Sequence, residues 1–281
     1  MFFRQLYTGC YFPIEAYRFL NSCAKSEMRT LVILAAVAGA CLLSGRAYSQ
    51  PSGSPDSDEL AKSILEKADQ VRFPSHGFEV SVTITSTGGN ASTEPRKYRI
   101  LSKGNENTIV MATEPASERG QILLMKSRDL WIFLPTVSQP VRLGLAQRLT
   151  GQVANGDLAR ANFVGDYQPR LLRTERIDGE TVHVLELTAV DRSVTYHRVL
   201  YWVRQSNNWP QKAEFYSLSD RLLKTCMYED FRQLGGRARP TRLVMQDALR
   251  SGEESVLEYA DMRLRDLPDK MFTKDYLKRV E

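Results

Sequence analysis

The chain is 281 residues long, 42% hydrophobic and 25% charged, a composition that excludes disorder over most of its length. Its formal charge of +5 sits largely at the front: residues 1–49 hold Arg4, Arg18, Lys25, Arg29 and Arg46 against Glu15 and Glu27, and removing these five and two from totals of 38 and 33 leaves 33 basic and 31 acidic residues. A body so close to neutral is not an electrostatic nucleic-acid binder.

Residues 1–49 read as an N-terminal extension plus an export signal. Met28-Arg29 precedes an apolar run from Leu31 to Leu43, and Ala47-Tyr48-Ser49 supplies the small residues of a cleavage site near Ser49/Gln50. The run is shorter than the roughly twenty residues a membrane span needs. Met28 is the expected true start, with an unusually long signal as the alternative. A second route, lipidation at Cys41 in "AGAC", competes with simple cleavage. Either way the expected compartment is the periplasm. Cys10, Cys23 and Cys41 all lie in this front segment, so Cys226 remains alone, without an internal disulfide, and reads as a buried thiol in a strand.

"QPSGSPDS", residues 50–57, reads as a flexible linker. The next stretch places Leu60, Ile64, Ala68 and Val71 at helical spacing, and Pro74 closes an amphipathic helix. From Gly77 the period changes to two: Val80, Val82 and Ile84 alternate with Glu79, Ser81 and Thr83, and five further short strands run to about Gln147. Asp178-Gly179 and Asn207-Asn208-Trp209-Pro210 are hairpin turns between later strands. The end, "LPDKMFTKDYLKRVE", predicts a short helix capped by Thr273 with Lys278 and Arg279 near its C-terminus. About a dozen antiparallel strands with helices at the ends imply a mainly β domain over 58–281, one strongly curved sheet or barrel. Arg148–Tyr167 interrupts this order with no clear period and three glycines, which is either a functional cover or a crossover connection.

Catalytic spacing is absent from the sequence. His76, His183 and His197 lack H-x-x-x-H company, no nucleophile elbow or phosphate-binding loop occurs, and the carboxylates of "YEDF" and "EYADMRLRD" read as solvated. The expectation is a protein that is not an enzyme and holds no metal or cofactor. What the strands offer is apolar material: "ILLMKSRDLWIFLP" carries Leu130, Ile132 and Leu134 on one face and Trp131 and Phe133 on the other. A strand apolar on both sides is covered on both sides, by protein or by something bound.

"RGQILLMKSRDLWIFLPTVSQPVRL", "GQVANGDLARANF", "AVDRSVTYHRVLYWV", "AEFYSLSDRLLKTC" and "LRDLPDKMFTKDYL" together resemble the outer membrane lipoprotein-sorting protein family, in the LolA-like lipoprotein and lipid carrier superfamily. The resemblance runs from about Asp58 to Glu281 and implies an incomplete, half-open antiparallel β-barrel covered by helices and loops. It further implies a carrier for the acyl chains of a lipoprotein or lipid, with an RND-type inner-membrane exporter as a partner, or alternatively an RseB-like sensor of lipoproteins.

Physics suits a carrier. An acyl chain of about fifteen methylenes loses roughly 12 kcal/mol on leaving a membrane for water. An empty pocket of roughly 300 Å³ costs about 7 kcal/mol, so an unloaded carrier is expected to close over its cavity. On this reading Leu123, Met125, Trp131, Phe133, Phe215, Met227 and Met245 line the cavity. Arg148–Tyr167 covers it, with Leu149, Val153, Leu158 and Phe163 turned inward and Gly151, Gly156 and Gly165 as hinges.

Overall fold

The computed structural model describes residues 55–89 and 94–277. The export segment with its start and cleavage sites, most of the 50–57 linker, and Lys278 and Arg279 lie outside the described residues. Helix α1 spans Pro55–Arg72, so its first turn takes up the end of the expected linker; proline is tolerated in a first turn, where its missing N–H has no partner to lose. The buried stripe is Ala61, Ile64, Leu65, Ala68 and Val71, whereas Leu60, expected inside, is 46% exposed. The packed face is one residue further round the helix than the spacing of Leu60 suggests.

Six strands follow: β1 (Phe78–Thr87), β2 (Arg96–Lys103), β3 (Asn107–Glu114), β4 (Ile122–Lys126), β5 (Asp129–Phe133) and β6 (Val141–Leu143). After an insert over 144–166 come β9 (Tyr167–Ile177), β10 (Glu180–Ala189), β11 (Arg198–Arg204), β12 (Pro210–Tyr216), β13 (Leu222–Leu234), β14 (Arg237–Asp247) and β15 (Glu254–Leu264). The insert itself carries the hairpin β7 (Arg148–Thr150) and β8 (Val153–Ala154) and the short helix α2 (Asn155–Ala159). Alternation drives these choices: in β1, Phe78, Val80, Val82 and Ile84 are buried while their odd-numbered neighbours are not. At the β9–β10 turn Asp178 and Gly179 take φ of 50° and 82°, the left-handed pair that a tight hairpin requires.

Among the described residues thirteen strands form one antiparallel sheet in the order β6-β5-β4-β3-β2-β1-β15-β14-β13-β12-β11-β10-β9. Every neighbour is a hairpin partner except β1 and β15, whose pairing (Ile84 with Leu257, Thr87 with Glu254) joins the two halves. The edges are therefore β6 and β9, and the sheet does not close into a barrel. One contiguous apolar cluster joins Leu123 and Met125 of β4 to Val199 and Tyr201 of β11, although seven strands separate them in the sheet order. The ends of these strands also meet directly, Arg128 of the β4–β5 turn bonding Asp191 of the β10–β11 connection, which requires the sheet to bend round on itself. Helix α1 and the insert fill the bend.

A second cluster lies on the convex side. Leu101, Ile109, Ile122 and Leu124 are covered there by Leu267, Phe272 and Leu277 of the C-terminal segment. That segment is a 3₁₀ turn (Asp269–Met271) and helix α3 (Lys274–Leu277), with the Tyr276 N–H donating to Thr273 Oγ1 at 3.2 Å. Thr273 thus caps the last helix, as its position suggests.

Candidate functional site: the covered concave face

The two free edges dictate what the insert must do. A chain leaving β6 and entering β9 has to cross the mouth of the bent sheet, so the crossover connection and the cover are the same segment. It is not irregular: it enters as a hairpin and turns into α2. Val153 is fully buried, Leu158 and Phe163 are buried, and Leu149 packs half-buried on the same cluster. Phe163 is the deepest aromatic contact, its ring centroid 5.2 Å from Tyr201 and 5.5 Å from Tyr167.

Four of the seven residues expected to line a cavity, Leu123, Met125, Phe215 and Met245, are buried on the concave face. The other three are not there. Trp131 pairs with Leu124 and Phe133 with Ile122, which puts both in the convex cluster; Lys274 Nζ lies 4.1 Å from the Trp131 ring. Met227 lies between Cys226 and Tyr228, both in the concave cluster, and so points to the convex side. The reason is the two-residue period: a strand apolar on both faces gives no phase by itself, and the cross-strand partner decides.

Gly151, Gly156 and Gly165 differ in their surroundings. A Cβ on Gly151 (φ +49°) would lie 2.1 Å from Ser86 Oγ and 2.2 Å from Ser255 Oγ, and one on Gly156 would lie 2.1 Å from Thr195 Oγ1. Both positions are close approaches of backbone to backing side chains. Gly165 (φ +85°) has open space around its Cβ position.

Open grooves flank the cover: one of about 590 Å³ runs between α1 (Leu65, Glu66) and β9–β10 (Tyr167, Thr188), and one of about 260 Å³ lies between Phe73 and Asn162. Directly under the insert lie voids of about 20 Å³, one between Leu158 and Ile100 and one between Phe163 and Met245. Each of these voids is the size of one water.

Charges hold the cover. Asp69 of α1 accepts the N–H groups of Phe163 and Val164, both at 2.7 Å, and the Arg72 guanidinium at 3.4 Å. Burial drives the Asp69 pKa up to about 6, against the opposing pull of Arg72 and the two N–H groups. Arg72 in turn lies 4.4 Å from the centre of the Phe163 ring. Lys224 of β13 donates to Asp157 of α2 at 2.5 Å and to the Gln152 carbonyl at 2.7 Å. Asp157 also accepts the Tyr196 hydroxyl at 2.8 Å and the Ala154 N–H at 2.7 Å. Arg160 forks onto Asp166 and reaches the carbonyls of Asn105 and Ser127, while Arg128 bonds Asp166 from the outside at 3.0 Å. Desolvation cancels most of the gain from such buried pairs, so they fix register more than they add stability.

None of Asp69, Arg72, Asp157, Arg160, Asp166 or Lys224 belongs to a catalytic sequence motif. Two signals were present: Lys224 occupies the inward phase of "KTCMY", two residues before Cys226, and Asp69–Arg72 is an i,i+3 pair next to the buried Ala68. Among the described residues no group of three or more His, Cys, Asp or Glu could hold a metal ion, and no helix is long and apolar enough to cross a membrane.

A family model described as an uncharacterized protein matches residues 104–279. A LolA superfamily protein from Nitrosomonas europaea is 66% identical, with a TM-score of 0.74, and the match covers 77% of this chain and 98% of that one. Two more distant structures share the fold, each with a TM-score of 0.68 over 79% of this chain. One is a Vibrio parahaemolyticus domain assigned as an outer membrane lipoprotein-sorting protein, 21% identical and covered over 100% of its length. The other is a DUF1329 family protein from Desulfovibrio piger, 22% identical and covered over 99%. No curated protein matches the chain in sequence.

Proposed function

The chain belongs to the LolA superfamily, and from that premise we propose that it is a non-enzymatic periplasmic carrier, which takes up the acyl chain of a lipid or lipoprotein on the concave face after the insert 144–166 swings away. The observation that carries this reading is the mismatch between face and fastening. The concave face is apolar across both halves of the sheet, yet its cover is fastened by Asp69, Asp157–Lys224 and Arg160–Asp166. A cover held by apolar contacts alone would lose all of its stabilisation on opening. Buried charges recover hydration when they leave, which offsets part of that loss. An acyl chain then replaces the apolar contacts of Val153, Leu158 and Phe163 at about 0.8 kcal/mol per methylene buried. On this reading a bound chain takes the place of the insert's side chains on the concave face. The donor is a protein of the inner membrane, for which an RND-type exporter is the expected class.

Two measurements test the proposal. Mass spectrometry of an organic extract of protein purified from the periplasm should find stoichiometric lipid. A disulfide between Gly156→Cys and Thr195→Cys, whose Cβ positions approach within 3.0 Å, should pin α2 in place after a small local shift. Uptake of a fluorescent fatty acid should stop in the oxidised variant and return on reduction. Uptake at the wild-type rate with the insert pinned sinks the proposal.

A further inference from the structure

Three connections of the β9–β15 half emerge on one rim of the sheet: 190–197 between β10 and β11, 217–221 between β12 and β13, and 248–253 between β14 and β15. Pairing of Arg198 with Tyr216 and of Lys224 with Asp247 brings them side by side. Each carries one exposed aliphatic side chain with an arginine one to three residues behind it: Val190 and Arg192, Leu218 and Arg221, Leu249 and Arg250. Leu218 and Leu249, at 61% and 63%, are the most exposed large hydrophobic residues described. A single exposed leucine needs no explanation, but three neighbouring turns with the same pairing do.

The charges on these turns are asymmetric. Asp191 is bound to Arg128 and Ser193, Asp220 to Arg198, and Asp247 accepts the N–H groups of Leu249 and Arg250 within its own turn. The side chains of Arg192 and Arg221 are exposed and make no ion pair among the described residues, and Arg250 reaches Glu253 only at 3.4 Å. Arg148 of β7, exposed and likewise without an ion pair among the described residues, lines the same groove of about 540 Å³ as Arg250. Asp191 and Asp220 are thus committed to Arg128 and Arg198, Arg192 and Arg221 are free of ion pairs among the described residues, and Arg250 shares one long contact with Glu253, which also accepts the Gln152 amide.

We propose that this rim docks the protein onto an anionic lipid bilayer, with Leu218 and Leu249 entering the acyl boundary and Arg192, Arg221 and Arg250 meeting lipid phosphates. Shape favours a bilayer over a protein partner. The aliphatic groups stand on separate turns, and a specific protein interface needs a contiguous area of about 800 Å² on each side. A membrane interface needs only depth and opposite charge. Docked this way, the protein presents the β7 end of the insert to the lipid. The docking does not depend on the acyl-carrier reading and survives its failure.

Co-sedimentation of the periplasmically purified protein with vesicles tests it, comparing phosphatidylglycerol mixed into phosphatidylcholine with phosphatidylcholine alone. Binding is expected only with the anionic lipid and is expected to fall with salt. Replacing Arg192, Arg221 and Arg250 by Gln should weaken it about fivefold for each arginine removed. The paired change Leu218→Ser and Leu249→Ser should weaken binding at least tenfold, with an unchanged melting temperature as the check on folding. Fatty-acid uptake from solution, measured on the same variants, separates loss of docking from loss of cargo binding. Absence of vesicle binding by the wild-type protein, or binding indifferent to the leucines and arginines, overturns the proposal. So does leucine-dependent self-association without lipid.

Discussion

Lys224→Met isolates one fastening of the cover. In the closed protein Lys224 is 4% exposed and is bonded to Asp157 and the Gln152 carbonyl, so its loss leaves a buried carboxylate whose remaining partners are the Tyr196 hydroxyl and the Ala154 N–H. Removing one member of a buried pair costs about 3–5 kcal/mol. That cost applies only while Asp157 is buried; in an opened insert the carboxylate is hydrated and feels nothing. The ratio of open to closed insert should therefore rise by about 10²- to 4 × 10³-fold, at ~1.4 kcal/mol per decade. Amide hydrogen exchange followed by mass spectrometry is the assay. Peptides over 144–166 should exchange faster by about that factor while those of β1 and β15 do not change. Adding Asp157→Asn should restore most of the protection, because Asn keeps an acceptor for Tyr196 and removes the orphaned charge. Equal acceleration of the insert and the β1–β15 pair would refute the reasoning, since it would mean that the cover does not open separately from the sheet.

Other consequences are as direct. Asp69 binds its proton more tightly folded, at about 6, than unfolded, at an ordinary 3.8, so the native state holds more protons between those values and loses stability as pH rises through them. Relative to Asp69→Asn, the wild type should lose up to ~3 kcal/mol from pH 4 to pH 7, read from urea midpoints at each pH. A flat difference would show that Asp69 does not titrate there. Gly151→Ala should destabilise by more than 2 kcal/mol, roughly, because a left-handed backbone and contacts of 2.1 and 2.2 Å act together. Gly165→Ala, strained at φ +85° but unobstructed, should cost only ~1 kcal/mol, and thermal melts distinguish the two. Phe215→Ala and Trp131→Ala should both lower stability, but only Phe215→Ala should change affinity for a fluorescent fatty acid, since Trp131 packs under the C-terminal segment. An effect of Trp131→Ala on binding as large as that of Phe215→Ala would argue against the concave face as the cargo site.

Much of this architecture follows from local rules that act within a few residues. Alternation in "FEVSVTIT" makes a strand wherever it occurs, Asp178-Gly179 accepts the left-handed pair of a hairpin turn, and Thr273 caps a helix because its hydroxyl reaches the N–H three residues on. Such signals are legible without neighbours, and so is the resemblance of the chain to its superfamily. Three things were settled only by tertiary structure. The phase of a strand apolar on both sides was one: Trp131 and Phe133 took the convex face because Leu124 and Ile122 sit opposite them. The course of the insert was another. It spans the mouth because β1 pairs with β15 more than 160 residues away in sequence, which leaves β6 and β9 as the edges it must connect. The buried charges were the third, since Lys224 and Asp157 are ordinary polar residues until folding removes the water between them. A residue carries its own propensity, but its partner across 67 positions exists only once the sheet has bent.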